Sequence, residues 1–209
     1  MVTRIILVRH GQTAWNVGAS SDEGERFRGR IDLPLNERGR AQAQALAGRL
    51  ADEPVAAIYS SPLQRAIETA EPTARRLGLT VQPLEGIVDI NYGHWQERPH
   101  SEVARLYPAL YRQWLQEPHK VRPPGGESLD EVRERAMAAL HQVIARHQDQ
   151  TILVAAHQVV NKVLVCAMLD LDNSHFWRIR QDNGCLNIFD YQEGLFTAIL
   201  INDTCHLGC

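Results

Sequence analysis

Three stretches of the chain place phosphate-binding side chains at the end of an apolar run. Arg9-His10-Gly11 follows Ile5 to Val8, His157 follows Thr151-Ile-Leu-Val-Ala-Ala156, and Ser60-Ser61-Pro62-Leu63-Gln64-Arg65 follows Val55 to Tyr59. Guanidinium groups bind phosphate oxygens in a fork, and a neutral imidazole is a good nucleophile near pH 7. Ser61 suits a helix N-cap and Pro62 a first helical residue, which puts Arg65 in the first or second turn beside the anion-favouring start of that helix. Gly11 permits close backbone approach, Thr13 adds a hydroxyl, and Asn16 adds a carboxamide about one helical turn further on. Arg9, His10, Arg65 and His157 would together line a compact cationic pocket fit for a phosphate dianion. A lone strand-end histidine can simply bond a neighbouring carbonyl, but three separate strand ends agreeing favours a site.

The elements that would position these groups follow from periodicity. The three apolar runs read as strands buried on both faces of a parallel sheet. Helical patterns span Glu37 to Leu50, Pro62 to Leu77, Leu129 to His147 and Gln158 to Leu169. Strands alternating with helices predict an α/β fold, a three-layer α/β/α sandwich on a mostly parallel sheet, and such sheets bind ligands at the carboxyl ends of their strands. Cys185 to Asp190 and Leu195 to Ile201, either side of Tyr191-Gln-Glu-Gly194, read as a closing hairpin whose edge is a candidate homodimer contact. The chain is expected to be one domain over 1–209, with a helical insertion at about 92–126. In that insertion Arg98, Arg105, Arg112, Lys120 and Arg122 outnumber Glu97, Glu102 and Glu117, among Trp95, Tyr107, Tyr111 and Trp114. That pattern fits a lid over an acidic ligand, and it equally fits a solvated helical excursion.

Composition narrows the class. The 209 residues are 44% hydrophobic and 22% charged, with a formal net charge of -3, so the chain can bury an ordinary core and is no dedicated nucleic-acid binder. Any anionic partner must be held locally. The four cysteines, Cys166, Cys185, Cys205 and Cys209, are too sparse for a disulfide framework and read as thiols of a reducing compartment. No secretory leader is recognised at Met1 to Val8, and the run Val159 to Leu169 is too short and too interrupted to span a membrane. A cytoplasmic protein is expected.

The sequence resembles the histidine phosphatase superfamily, the phosphoglycerate mutase-like family. Leu7-Val-Arg-His-Gly-Gln-Thr-Ala-Trp-Asn16 is similar to its signature, and the likeness continues through Arg28-Gly29-Arg-Ile-Asp-Leu-Pro-Leu35, Ser60 to Ala70, Pro124-Gly-Gly-Glu-Ser128 and the strand before His157. The resemblance implies that His10 takes the phosphoryl group and that Arg9, Arg65 and His157 bind its oxygens. It implies a metal-independent phosphomonoesterase that hydrolyses a small phosphorylated metabolite, with no cofactor. The leaving alkoxide needs a proton, and the same group must later activate water. Asp89-Ile-Asn-Tyr-Gly93 aligns with the family's acid/base segment, where a Glu is commoner, and Glu85 is the alternative carboxyl. Gln158 stands where relatives usually have Gly, placed either to touch phosphate or substrate or merely to begin a helix. The stretch Val17 to Glu25 is longer and more polar than the family's usual link and reads as a substrate-screening loop.

Other readings are weaker. Within the same family the chain could act as a mutase, but mutases carry a longer insertion after the acid. A phospho-ligand binding module without turnover would account for Asp89 and Gln158. Asp170-Leu-Asp172-Asn-Ser174 superficially suits an aspartate-nucleophile phosphatase, yet too few residues follow it for the rest of such a domain. Cys166 and Cys185 lack the arginine a cysteine phosphatase needs six positions on, where Asp172 and Tyr191 stand. Cys205-His206-Leu-Gly-Cys209 offers only three ligands at a terminus, so no metal site is predicted.

Overall fold

The sheet is built outward from β1 (Thr3–Arg9), whose residues are buried on both faces in a computed structural model that describes residues 2–16 and 25–208. In chain order there follow α1 (Glu37–Arg49), β2 (Val55–Ser60), α2 (Gln64–Leu77), β3 (Val81–Pro83), α3 (His100–Leu106), α4 (Pro108–Gln116), α5 (Leu129–Arg146), β4 (Thr151–Ala156), α6 (Gln158–Met168), β5 (Leu186–Gln192) and β6 (Leu195–Asp203). Among the described residues the sheet has six strands in the order β3-β2-β4-β1-β5-β6. β3, β2, β4 and β1 run parallel, and the β5–β6 hairpin joins β1 antiparallel. Side-chain alternation splits the core. Ile5 and Leu7 pack with Val132 and Leu140 of α5 and Val160 and Leu164 of α6, whereas Ile6 and Val8 pack with Leu46 of α1 and Ala70 and Ala74 of α2. The three-layer α/β/α architecture expected from periodicity is therefore the observed one.

The register sets the site. Arg9 of β1 pairs with Ala156 of β4, and the His10 amide donates to the Ala156 carbonyl at 3.0 Å, so the next residues on the two strands, His10 and His157, leave the sheet side by side.

Two local expectations change. Helix α2 starts at Gln64 rather than Pro62, with Leu63 at the N-cap; the Ser61 hydroxyl accepts from the Leu63 amide at 3.4 Å, and the Gln64 amide donates at 2.7 Å to the Asp32 carboxylate from a distant segment. The residue before a proline also disfavours helical backbone, which keeps Ser61 in the connection. The short strand β3 went unanticipated because only three residues pair, at the sheet edge. By contrast α5 carries a full capping box, the Ser128 hydroxyl accepting from the Glu131 amide while the Glu131 carboxylate accepts from the Ser128 amide.

Segment 92–126 contains the short helices α3 and α4, and it is anchored rather than solvated. Trp95, Val103, Trp114 and Val121 are buried in the same core as α5 and α6. Gly93, at φ 53°, lies so close to Pro124 and Gly125 that a Cβ would sit 2.2 Å from the Pro124 carbonyl oxygen. The two ends of the segment are thereby clamped together.

Candidate active site

At the carboxyl ends of β1, β2 and β4 the chain buries Arg9, His10, Arg65, Asp89 and His157 together. The His10 and His157 rings lie 5.3 Å apart between centroids. His10 Nδ1 donates to the Gly11 carbonyl at 2.7 Å, which leaves the Nε2 lone pair for attack. Burial, followed by the Arg65, Arg9 and Arg28 guanidinium groups, holds its pKa well below the ordinary imidazole value. The ring is therefore neutral at pH 7. Burial and the neighbouring cations, Arg65 first, depress His157 in the same way. The Ser61 hydroxyl donates to His157 Nε2 at 2.7 Å, so Nδ1 carries the proton and is buried with no hydrogen-bond partner, 3.7 Å from an Asp89 carboxylate oxygen.

The arginines are fixed by backbone carbonyls. Arg65 donates from Nη1 to Ile31 at 2.7 Å and from Nη2 to Gly29 at 2.8 Å, and it meets Asp89 Oδ2 at 3.1 Å. Arg9 Nη1 donates to the Gln181 carbonyl, and Arg28 Nη1 to that of Trp15. The Nε atoms of Arg9, Arg28 and Arg65 are buried without a protein acceptor. Buried donors are rarely left so. With His157 Nδ1 they are four buried N–H groups of the cluster without a protein partner.

Beside these groups opens a cavity of about 160 Å³ lined by Arg28, Gly29, Asp89 and Gln158 and by aromatic rings, Trp114, Phe176 and Trp177 among them. Asp89 Oδ1 also accepts from the Ile90 amide at 2.9 Å. Its carbonyl receives Arg30 and Arg135, both anchored on Glu127, so the carboxyl stands on a braced segment. Glu85 is exposed and absent from the cavity wall. Gln158 is the first residue of α6 and lines the cavity.

Gly11, Thr13 and Asn16 stand beside the site but spend their polar groups on the scaffold. The Gly11 amide donates to the Thr69 hydroxyl, and Asn16 Oδ1 accepts from both the amide and the hydroxyl of Thr13. The close approach at Gly11 is to α1, where a Cβ would come within 2.6 Å of the Gly39 carbonyl oxygen. Gly29, at φ 51°, gives its carbonyl to Arg65. The loop read from Val17 to Glu25 lies outside the described residues except for Glu25, which lines the cavity. Cys209 lies outside them as well, and His206 Nε2 donates to the Gly184 carbonyl.

Sequence reasoning missed Ser61 as the partner of His157, and Phe176, Trp177 and His100 as wall residues. Ser61 carried a signal, the Ser60-Ser61 pair at a strand end. The rings carried none. None of the insertion's basic residues lines the cavity; its contribution is Tyr92, His100 and Trp114. Arg98 pairs instead with Glu102, Lys120 with Glu117, and Arg122 with Glu131.

An α/β sheet that ends in two neutral imidazoles ringed by arginines defines a phosphoryl-transfer site. The family model described as histidine phosphatase superfamily (branch 1) matches residues 5–204, and the chain belongs to that superfamily. It is 39% identical over 208 residues to phosphoserine phosphatase 1 of Hydrogenobacter thermophilus, covering 99% of this chain and 95% of that one. Among solved structures, Bacillus stearothermophilus YhfR superposes with a TM-score of 0.91 at 32% identity, over 98% of this chain and 99% of that one. The mycobacterial glucosyl-3-phosphoglycerate phosphatase complexed with VO3 gives a TM-score of 0.86 at 27% identity, over 96% and 99%.

Proposed function

We propose that this chain is a phosphomonoesterase for a small phosphorylated metabolite, working through a phosphohistidine on His10. The observation that carries the reading is the convergence of His10 and His157, from strand ends far apart in sequence, to 5.3 Å between ring centroids among the buried guanidinium groups of Arg9, Arg28 and Arg65. Nε2 of His10 attacks phosphorus while Arg9, Arg28, Arg65 and His157 Nδ1 take up the charge on the non-bridging oxygens. Asp89 gives its proton to the leaving oxygen as the P–O bond breaks. Water then attacks the phosphohistidine, Asp89 removes its proton, and inorganic phosphate leaves His10 free. The cationic groups neutralise the phosphoryl charge themselves, and the reaction as written calls on no metal. Relatives named phosphoserine, alpha-ribazole and glucosyl-3-phosphoglycerate phosphatases support a metabolite substrate.

Among the described residues no helix is long and apolar enough to cross a membrane. The buried thiols of Cys166 and Cys185 suit a reducing compartment, which supports a cytoplasmic location. The test is hydrolysis of p-nitrophenyl phosphate in EDTA, with mass spectrometry of acid-labile phosphate on His10. Turnover by the wild type and none by His10→Ala is expected. Silence in both would leave a binding module, and turnover that requires a bisphosphorylated primer would leave a mutase.

A further inference from the structure

Arg135 of α5 spends its whole guanidinium on the segment that carries Asp89. Nη1 donates to the carbonyls of Gly86 and Val88 at 2.9 and 2.7 Å, and Nη2 to that of Asp89 at 3.2 Å. Nε and Nη2 also fork onto the two oxygens of Glu127, at 3.0 and 3.1 Å. Glu127 in turn accepts from the Asn91 amide at 2.8 Å and from Arg30 at 2.9 Å, and Arg30 Nε reaches the same Asp89 carbonyl at 3.2 Å. Burial alone would raise the Glu127 carboxyl, but the hydrogen bonds from Arg135 and the Asn91 amide outweigh it and hold the group below the ordinary carboxylate range, ionised at neutral pH. Gly86 lets the segment lie against α5, since a Cβ there would come within 2.5 Å of Ala139 Cβ. Ile87 and Ile90, on either side of Asp89, are buried in the core. The segment therefore stays packed without Arg135, and what the guanidinium fixes is its exact placement.

We propose that Arg135, anchored on Glu127, is the positioning residue of the acid/base: it sets where the Asp89 backbone stands, and so whether the carboxyl reaches the leaving oxygen. The proposal rests on the phosphomonoesterase reading with Asp89 as its acid. Neither Arg135 nor Glu127 lines the cavity, so both act through Asp89 and not on the substrate. Placement matters more for this chain than for relatives with Glu, because the Asp side chain is one methylene shorter and its carboxyl follows any shift of the backbone closely. That carboxyl has little room to compensate, with Arg65 at 3.1 Å and His157 at 3.7 Å from the same oxygen.

The test uses two substrates that differ by one nitro group, phenyl phosphate and p-nitrophenyl phosphate, because phenolate needs a proton far more than p-nitrophenolate does. Arg135→Met should lower kcat on phenyl phosphate about tenfold or more and on p-nitrophenyl phosphate much less. Arg135→Lys should show the same split, since an ammonium keeps the charge and loses the fork. In an Asp89→Asn background, Arg135→Met should add nothing to the loss on phenyl phosphate. Equal losses on the two substrates, rescue by Lys, or a full further loss in the Asp89→Asn background would each overturn the assignment, as a general structural or purely electrostatic role predicts. Thermal midpoints report folding. Should Arg135→Met not fold, Arg30→Met carries the same test with a smaller split, for it removes an exposed donor to the same Asp89 carbonyl. Failure of the underlying readings looks different: no hydrolysis of p-nitrophenyl phosphate by the wild type removes the enzyme, and equal losses in Asp89→Asn alone remove the acid.

Discussion

The buried histidine–arginine floor of the site and the aromatic wall of the cavity beside it are built on opposite plans. On the floor, Arg9, His10, Arg65 and His157 are each tied by a short hydrogen bond to a backbone carbonyl or, for His157, to the Ser61 hydroxyl. On the wall, Trp114, Phe176 and Trp177 contact one another ring to ring, at 5.8, 5.9 and 4.8 Å between centroids, with one hydrogen bond from Trp177 Nε1 to the Trp114 carbonyl. Hydrogen bonds are directional and packing is not. A floor made of the first kind holds reacting atoms in place, while a wall made of the second can be reshaped around different leaving groups at little cost to the chemistry.

That contrast is broken most directly at His10. His10→Ala should lower kcat on the order of 10⁴-fold or more while phosphate still binds; steady-state kinetics together with phosphate titration checks both parts. At Asp89, replacement by Asn should slow alkyl phosphates roughly 10²- to 10³-fold and p-nitrophenyl phosphate far less, since p-nitrophenolate barely needs a proton. Equal losses on the two leaving groups would remove Asp89 as the acid. Arg65→Lys should cost about 10²-fold in kcat/KM, because an ammonium cannot reach Ile31, Gly29 and Asp89 at once. A loss under threefold would show that the floor tolerates looser geometry than its hydrogen bonds suggest.

On the wall the currency is stability. Trp114→Ala removes a buried indole that also contacts Tyr92 and Trp95, and should cost about 3–5 kcal/mol in denaturant unfolding, with KM moving more than kcat. The smallest expected effect is on pH. His10 and His157 have folded pKa values below the ordinary imidazole value of 6.5. The unfolded chain therefore takes up protons first on acidification. Stability from these two residues is complete above that value and declines as pH falls beneath it. Denaturant midpoints between neutral and mildly acidic pH should show the decline, less steeply in His10→Gln. Imidazole titration at the ordinary value by NMR would contradict the buried, neutral floor.

Much of this was readable without coordinates. Apolar runs of strand length and the rule that open α/β sheets bind at strand carboxyl ends placed Arg9, His10, Arg65 and His157 at one rim, because those signals are local and periodic. Asp89 was legible only by resemblance to a family, since no local pattern distinguishes it from Glu85; burial and the Arg65 contact separate the two in the fold. Tertiary structure alone decided the rest. Asp32 takes the Gln64 amide at the start of α2, Ser61 bonds His157, and the insertion turns its aromatic side chains rather than its basic ones toward the cavity. Lys162 meets Phe176 and Trp177 across a chain reversal. Periodicity records which face of an element is buried, but a hydrogen bond or ring contact between residues distant in sequence leaves no period behind, so such partners exist only once the layers have packed.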